Sequence, residues 1–362
     1  MADEDVNYFD SLRKTDFSDT NGLKTCFDHF DKDRDGLLDA NEFSALCKQL
    51  FVHNHSDGYH LTEQQEEALV ELLDSDKDGK INMEEFEICW KYWFRQVLSP
   101  VSALVIVDVQ NDFIDGSLAL RNSPACQEGS EVLPVINKLL EEELFDVVVY
   151  TKDWHPADHI SFFENVKERN IHPSSPIQGE DAKMFDTVKF AGPNDLVCEQ
   201  TLWPTHCVQG TWGAELHQNL KIVDDAVVIN KGTNPDIDSY SAFWDNMKQS
   251  QTSLVEELKA RRVTDIYVCG LAVDICVAFT SLDGVEHGYR TVVIEDAVRG
   301  IDCDGIKTRK KKMKDAGCVF VKSADVPDML NCKDRHPELG YQAAVNVAMA
   351  MKIHEARLLG SP

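Results

Sequence analysis

The sequence predicts an α/β fold, a parallel sheet flanked by helices on both faces, preceded by a small all-α domain. Past residue 100, short β-branched apolar runs alternate with helix-patterned segments, as expected of parallel strands buried on both faces and joined by crossover helices. Residues 1–97 hold 23 Asp plus Glu against 10 Lys plus Arg, a net of −13 out of −27 for the whole chain, so this stretch is a compositional unit of its own. A length of 362 residues also favours two domains over one. We draw them as 1–97 and 100–362, joined by a link at Leu98-Ser99-Pro100.

Residues 31–42 read DKDRDGLLDANE and residues 74–85 read DSDKDGKINMEE; both fit the spacing D-x-[DN]-x-[DN]-G-x5-E. A hard cation such as Ca²⁺ takes six to eight oxygens, and this spacing wraps them around one ion. In the first loop Asp31, Asp33 and Asp35 offer carboxylates, Leu37 a backbone carbonyl, Asp39 the ninth-position ligand and Glu42 a bidentate clamp. Asp74, Asp76, Asp78, Lys80 (through its carbonyl), Asn82 and Glu85 repeat the set. Gly36 and Gly79 fall where each loop turns sharply, and Leu38 and Ile81 are placed to join the loops in a short β-pair. LKTCFDHF and EFSALCKQLF flank the first loop with helical pattern; TEQQEEALVELL and EEFEICWKYWF flank the second. The stretch resembles an EF-hand pair, which implies two bound Ca²⁺. The histidine-rich HNHSDGYH between them reads as a solvated linker.

Six runs then read as strands: VSALVIVDVQ (101–110), FDVVVYTKD (145–153), AVVINKG (226–232), DIYVCGLA (265–272), TVVIEDAV (291–298) and CVFVKS (318–323). EVLPVINKLLEEE, SLVEELKARR and DICVAFTSLDGVEHG between them, and YQAAVNVAMAMKIHEARLLG after them, carry helical pattern. No Gly-x-Gly-x-x-Gly follows the first strand, so nothing marks a dinucleotide site. Ligands of such sheets bind beyond the carboxyl ends of the strands. Those ends carry Asp108, Lys231 and, where VCGLAVDICVAFT turns from strand to helix beside Asp274, the thiol of Cys276. A helix N-terminus and an ammonium both stabilise a thiolate. Asp108 can take the thiol proton and return it to a leaving amine, Lys231 balances the anions, and the N–H groups of Cys276 and Ala272 can hold an oxyanion. Strand two ends in a second cluster, TKDWHPADHISF, with Asp153 and His155 on one side of the chain and His159 four residues on, while TLWPTHCVQGTWG supplies His206. Such ligands suit Zn²⁺, Fe²⁺ or Mn²⁺; the bland alternative is a set of pocket histidines without an ion.

In order, VDVQNDF (107–113), DWHPADHISF (153–162), LWPTHCVQGTWG (202–213), KG (231–232) and GLAVDICV (270–277) resemble the isochorismatase-like cysteine hydrolases, and within them the nicotinamidase branch. The resemblance spans about residues 100–325. It implies Asp108, Lys231 and Cys276 as the catalytic triad, and Asp153, His155 and His206 as metal ligands with His159 as a further ligand or their neighbour. It implies a cis peptide at Leu271–Ala272 and an aromatic pocket of Phe113, Trp203 and Tyr240 around a pyridine ring, whose nitrogen the metal takes. The implied activity is hydrolysis of nicotinamide to nicotinate and ammonia through a cysteine thioester, in NAD salvage. The alternatives are another amidase or isochorismatase-like hydrolase, and a calcium sensor with an inactive hydrolase scaffold. Residues 164–200 form a long insertion between the metal motifs, read as a lid or pocket wall.

Composition narrows the setting. The net charge of −27 disfavours nucleic acid and anionic lipid as partners. No apolar run is long enough to span a membrane, and the first residues lack an apolar signal segment. Eleven cysteines without regular spacing suit reduced thiols in the cytoplasm, with the nucleus also open, and homo-oligomerisation is left open as well.

Overall fold

The computed structural model describes residues 7–12, 17, 20–52, 61–192 and 197–358, with side chains to Lys352; the 53–60 linker lies outside the described residues. The chain divides into two compact units, Met1–Val101 with Ala324–Pro362, and Ser102–Ser323.

In the first unit α1 (Thr20–Phe30) enters the first acidic loop, β1 (Leu37–Leu38) lies within it and α2 (Ala40–Leu50) leaves it. α3 (Glu63–Leu73), β2 (Ile81–Asn82) and α4 (Met83–Ile88) repeat the pattern. β1 and β2 pair antiparallel with Leu38 opposite Ile81, as the spacing predicts, and Gly36 and Gly79 turn at φ +85° and +82°. α2 starts with a reciprocal cap, in which the Asp39 side chain accepts from the backbone of Glu42 and Glu42 accepts from that of Asp39. Asn82 and Glu85 cap α4 in the same way. The ninth and twelfth loop positions therefore also nucleate the exiting helices. α4 continues through a π turn (Cys89–Phe94) into α5 (Arg95–Leu98). Trp90, Trp93 and Phe94, three and four residues apart on one face, are all buried in the core.

The second unit contains β3 (Ser102–Val107), α6 (Asn111–Ile114), α7 (Val132–Glu141), β4 (Val147–Asp153), β5 (Thr187–Ala191), β6 (Val197–Thr201) and β7 (Val227–Lys231). It continues with α8 (Leu254–Ala260), β8 (Asp265–Leu271), α9 (Cys276–Glu286), β9 (Arg290–Arg299), α10 (Cys303–Asp315) and β10 (Val319–Val321). The six apolar runs of the sequence become one parallel sheet in the order β10-β9-β8-β3-β4-β7. Every residue of β3 and β8 is buried, which is why these strands read as unbroken apolar runs. From β3 the chain steps outward to β4 and β7, then crosses back to β8 on the other flank. The order thus reverses at β3, and the crevice this leaves lies past the carboxyl ends of β3, β4 and β8. Within the 164–200 insertion, β5 and β6 pair as an antiparallel hairpin with its own small core of Val188, Phe190, Cys198 and Leu202.

α11 (Val326–Leu330) and α12 (Pro337–Leu358) follow the sheet. The sequence places them at the end of a domain running 100–362; in the structure that unit stops at Ser323. The reason is the apolar face of α12, whose Ala343, Ala344 and Val347 are buried in the same cluster as Phe43, Phe51 and Trp93 of the first unit. All eleven cysteines are free. Among the described residues no helix is long and apolar enough to cross a membrane.

Candidate active site

Three strand ends and one helix start bring the polar side chains together. Asp108 follows β3 with φ +49° and is fully buried. Its Oδ1 accepts from Thr151 Oγ1 at 2.6 Å, and its Oδ2 lies 2.9 Å from Lys231 Nζ. Lys231 ends β7 and is paired in register with Asp153 at the end of β4. Its ammonium donates to Asp153 Oδ1, to the Ser239 carbonyl at 3.1 Å and to Cys276 Sγ at 3.4 Å. Cys276 opens α9, and the carboxylates of Asp108 and Asp153 come within 4.8 Å of its sulfur. Asp274 does not face this site; its carboxylate accepts from the N–H groups of Ile301 and Asp302 at 3.0 and 2.9 Å and pins the turn after β9.

The electrostatics of the two carboxylates diverge. Burial pushes Asp108 up against the pull of Lys231. Burial acts likewise on Asp153, but Lys231 and His155 outweigh it and hold that carboxyl far below its usual range. One acid is suited to carry a proton and the other to stay anionic. Burial works against the Lys231 charge too, yet Asp108 and Asp153 raise it well above its usual value. Cys276 differs from the expectation drawn from its helix terminus. Burial raises the thiol well above its ordinary value despite Lys231, and the neighbouring carboxylates add to the effect. Burial thus favours the thiol form over the thiolate, with the carboxylate of Asp108 close beside it.

Asp153 Oδ2 faces away from the lysine, 3.6 Å from His155 Nε2 and 3.8 Å from His206 Nε2. The His155 Nδ1 is 2.8 Å from the Gly232 carbonyl and the His206 Nδ1 is 2.7 Å from the Pro204 carbonyl. A carbonyl only accepts, so each Nδ1 carries the proton and each Nε2 presents a lone pair to the same carboxylate oxygen. Two lone pairs and an anion converging in a buried space fit a cation, and the donor set suits a transition metal. His159 is fully buried and stacks on His155 with ring centroids 4.0 Å apart. Its Nδ1 meets Ser161 Oγ at 2.7 Å, while its Nε2 has no hydrogen-bond partner and lies 3.9 Å from Asp238 Oδ1. It adjoins the ligand trio and forms a second group with His155 and Asp238.

Phe113, Trp203 and Tyr240 line a small cavity together with Asp153, His155, His206, Ala272 and Cys276. The Trp203 Nε1–H donates to Tyr240 Oη at 3.3 Å, and Phe113 packs on His206 with ring centroids 5.5 Å apart. The Leu271–Ala272 peptide is cis. All the residues singled out in the sequence for this site therefore sit in or around one cavity.

Others escaped sequence reasoning. Gln110, inside the quoted VDVQNDF, accepts from the Asp153 N–H and donates to its carbonyl, both at 2.8 Å, and so fixes the metal-side strand end. Its place two residues after Asp108 was the available signal. Asp238 lines the cavity, and Gln200 of β6 donates to its Oδ2 at 2.9 Å and to Tyr240 Oη at 3.4 Å. No residue pattern marks either one. Through Gln200 on Asp238 and Tyr240, and through Phe185 against Trp203, the insertion backs residues of the cavity wall without lining the cavity itself.

The acidic loops of the first unit gather their donors too. Ligand atoms of Asp31, Asp33 and Glu42 lie within 4.8 Å of one another, as do those of Asp74, Asp76 and Glu85. Asp31 Oδ1 is buried without a hydrogen-bond partner, an orphaned acceptor that suits a hard cation. Asp35, Asp39, Asp78 and Asn82 stand at the loop positions the spacing assigns, and Leu37 and Lys80 sit in or beside the short β-pair. Lys80 also donates to Asp35 Oδ2 across the two loops at 3.0 Å.

Comparison with known proteins supplies context. Residues 102–325 match the Isochorismatase domain, and residues 20–91 match the EF-hand domain pair. A nicotinamidase of Acinetobacter baylyi is 39% identical over 204 residues, covering 56% of this chain and 83% of its own. Among solved structures, a nicotinamidase and pyrazinamidase of Acinetobacter baumanii superposes with a TM-score of 0.53 at 40% identity, over 62% of this chain and 98% of its own. The yeast nicotinamidase bound to the inhibitor nicotinaldehyde gives 0.52 at 30% identity, over 61% and 99%.

Proposed function

This chain belongs to the isochorismatase family of hydrolases, and on that premise we propose that it hydrolyses nicotinamide to nicotinate and ammonia through a thioester on Cys276. The nicotinate then enters NAD salvage. The observation that carries the reading is the convergence of a thiol, a proton-carrying acid, a buried ammonium and an Asp-His-His trio on one aromatic-walled cavity.

Asp108 takes the proton of the Cys276 thiol as the sulfur bonds to the carboxamide carbon. The N–H groups of Ala272 and Cys276 receive the developing oxyanion. As the intermediate collapses, the carbon–nitrogen bond breaks and Asp108 passes its proton to the departing nitrogen, releasing ammonia. Water then adds to the thioester and gives a proton to Asp108, the carbon–sulfur bond breaks, and Asp108 returns the proton to sulfur. The raised Asp108 fits this double duty, because the group must hold a proton between steps. Lys231 offsets the charges on Asp108 and Cys276 throughout. Phe113, Trp203 and Tyr240 enclose the pyridine ring. Asp153, His155 and His206, with His159 beside them, would hold a metal ion, which when bound would supply a positive centre for the ring nitrogen and so help to orient the carboxamide toward sulfur. The paired loops would hold Ca²⁺ through Asp31, Asp33, Asp35, Leu37, Asp39 and Glu42 and through Asp74, Asp76, Asp78, Lys80, Asn82 and Glu85.

The test is ammonia release from nicotinamide and from a panel of aliphatic, ureido and aromatic amides. Preferred turnover of nicotinamide is expected. No ammonia from nicotinamide, or a ureido substrate turned over faster, would overturn the reading.

A further inference from the structure

Both helices that leave the acidic loops meet the chain's own C-terminal segment. α2 begins at the first loop's closing carboxylate, since Glu42 occupies its third position, and it ends at Leu50. There Arg335, 3% exposed, donates Nε to the Leu50 carbonyl at 2.6 Å and Nη2 to the Gln49 carbonyl at 3.0 Å, while its backbone N–H bonds Val52 at 2.8 Å. These are the last carbonyls of α2, which a cation satisfies best. α4 begins with Glu85 at its third position and runs through the π turn to Trp93. The Trp93 indole N–H donates to the Gly340 carbonyl at 2.8 Å, within the first turn of α12. The Phe51 ring lies so close to the same residue that a Cβ on Gly340 would stand 2.1 Å from Phe51 Cε1. Ala343, Ala344 and Val347 continue the contact into the apolar core between the exiting helices.

We propose that Arg335 and α12 are the built-in target of the calcium-binding pair, a helix seated in cis whose docking and calcium binding strengthen each other. Calcium drawn in by Glu42 and Glu85 sets the near ends of two rods. An α-helix rises 1.5 Å per residue, so α2 carries that displacement about 12 Å from Glu42 to Leu50, next to Phe51, and the helix from Glu85 carries it to Trp93. Small shifts at a cation site become repacking where they meet a close-packed contact, and Gly340 is such a contact on both sides. EF-hand pairs of the sensor kind expose an apolar groove when loaded; here a segment of the same chain already fills it. The chain leaves this unit at Val101 and returns to it at Ala324, so the clasp joins segments that lie before and after the second unit in the sequence.

The inference rests on Ca²⁺ binding by the loops and not on the amidase reading, and two measurements on the full chain test it. The first is backbone hydrogen exchange of segments within 337–352 in excess Ca²⁺ and in a calcium-selective chelator. Exchange is expected to slow with Ca²⁺ by about 5–150-fold, the range of ordinary site-to-site coupling. The second is Ca²⁺ titration calorimetry of Gly340→Leu, which leaves both loops untouched. By reciprocity its Ca²⁺ affinity should fall by the same factor. Where Gly340→Leu is poorly folded, Trp93→Phe removes the single hydrogen bond to Gly340 and should lower affinity in the same direction. Heats of Ca²⁺ binding with unchanged exchange of α12, or wild-type affinity in a folded variant, overturn the coupling while leaving the loops as calcium sites. Absence of any binding heat overturns both.

Discussion

A single methyl group at Gly232 tests whether the ligand histidines are held as tightly as their geometry implies. Gly232 follows Lys231 with φ +63°, and its carbonyl receives the Nδ1 proton of His155. A Cβ built there would lie 2.3 Å from His155 Cε1 and 2.5 Å from Nδ1. Nonbonded carbons settle about 3.5 Å apart, so the ring must retreat by roughly 1 Å. Metal ligation tolerates about 0.2 Å, and disturbing the groups that orient a ligand typically lowers affinity about 10–100-fold. Gly232→Ala should therefore lower metal affinity by at least that factor and reduce ammonia release in parallel. The left-handed backbone adds a strain of roughly 1–2 kcal/mol that lowers stability without touching the metal. Gly210 separates the two effects, because it has φ +73° but nothing within 4 Å of a built Cβ. Gly210→Ala should show the strain alone and retain full metal content. The assay is metal content by elemental mass spectrometry, competition against a chelator, and ammonia release, with thermal unfolding alongside. Wild-type metal affinity in a folded Gly232→Ala would refute the claim that His155 is positioned by this contact.

Cys276→Ala should lower kcat on the order of 10⁶-fold while leaving metal content unchanged, since it removes only the nucleophile; measurable wild-type turnover would end the thioester mechanism. Asp108→Asn should lower kcat by about 10²–10⁴-fold, because an amide cannot carry the proton between steps, and a loss confined to KM would contradict that role. Benzamide, which lacks the ring nitrogen, should be poorer than nicotinamide in kcat/KM by on the order of 10²-fold or more; equal rates would show that the metal does not orient the ring. Gln200→Leu leaves Asp238 Oδ2 without its donor and Tyr240 without one of its partners. KM should rise roughly 5–10-fold with kcat within twofold, as loss of uniform binding requires, and the opposite split would place Gln200 in the chemistry.

Strands and strand-end chemistry were the most legible features, because a doubly covered sheet demands unbroken apolar runs and its active residues stand where those runs stop. Asp108, Asp153 and Lys231 could be read by position alone. The calcium loops were legible for a related reason, as one ion dictates the residue at nearly every position. What the sequence did not reveal was allegiance and fine geometry. The apolar face of α12 says that the helix packs, not on what, so Ala343 and Val347 could not announce that they join Phe43 and Trp93. β5 and β6 are five residues each and bury one face only, too short for alternation to stand out. α10 is polar enough that only Met313 is buried, leaving no stripe to find. Gln110 and Asp238 act through hydrogen bonds that no spacing rule encodes. The environment of Cys276 went the other way, since a helix terminus favours a thiolate and only the three-dimensional burial reveals the opposing upward push on the thiol.

Burial alone does not explain why the cation should settle beside the thiol instead of on it. The sulfur of Cys276 and the carboxylates of Asp108 and Asp153 lie within 4.8 Å of one another, and a thiolate with two carboxylates would itself be a tight metal site. Lys231 prevents this by occupying the centre of the trio. Its ammonium reaches Asp108 Oδ2, Asp153 Oδ1 and Cys276 Sγ, which leaves Asp153 Oδ2 as the oxygen turned toward His155 and His206. A unit charge at about 4 Å is worth roughly 4 kcal/mol at an effective dielectric constant of 20, so a divalent ion entering the trio would meet about 8 kcal/mol of repulsion from the lysine. Asp153 thus divides its two oxygens between two cations, one fixed by the protein and one bound from solution. The thiol is thereby left free of an ion held by the Asp-His-His group.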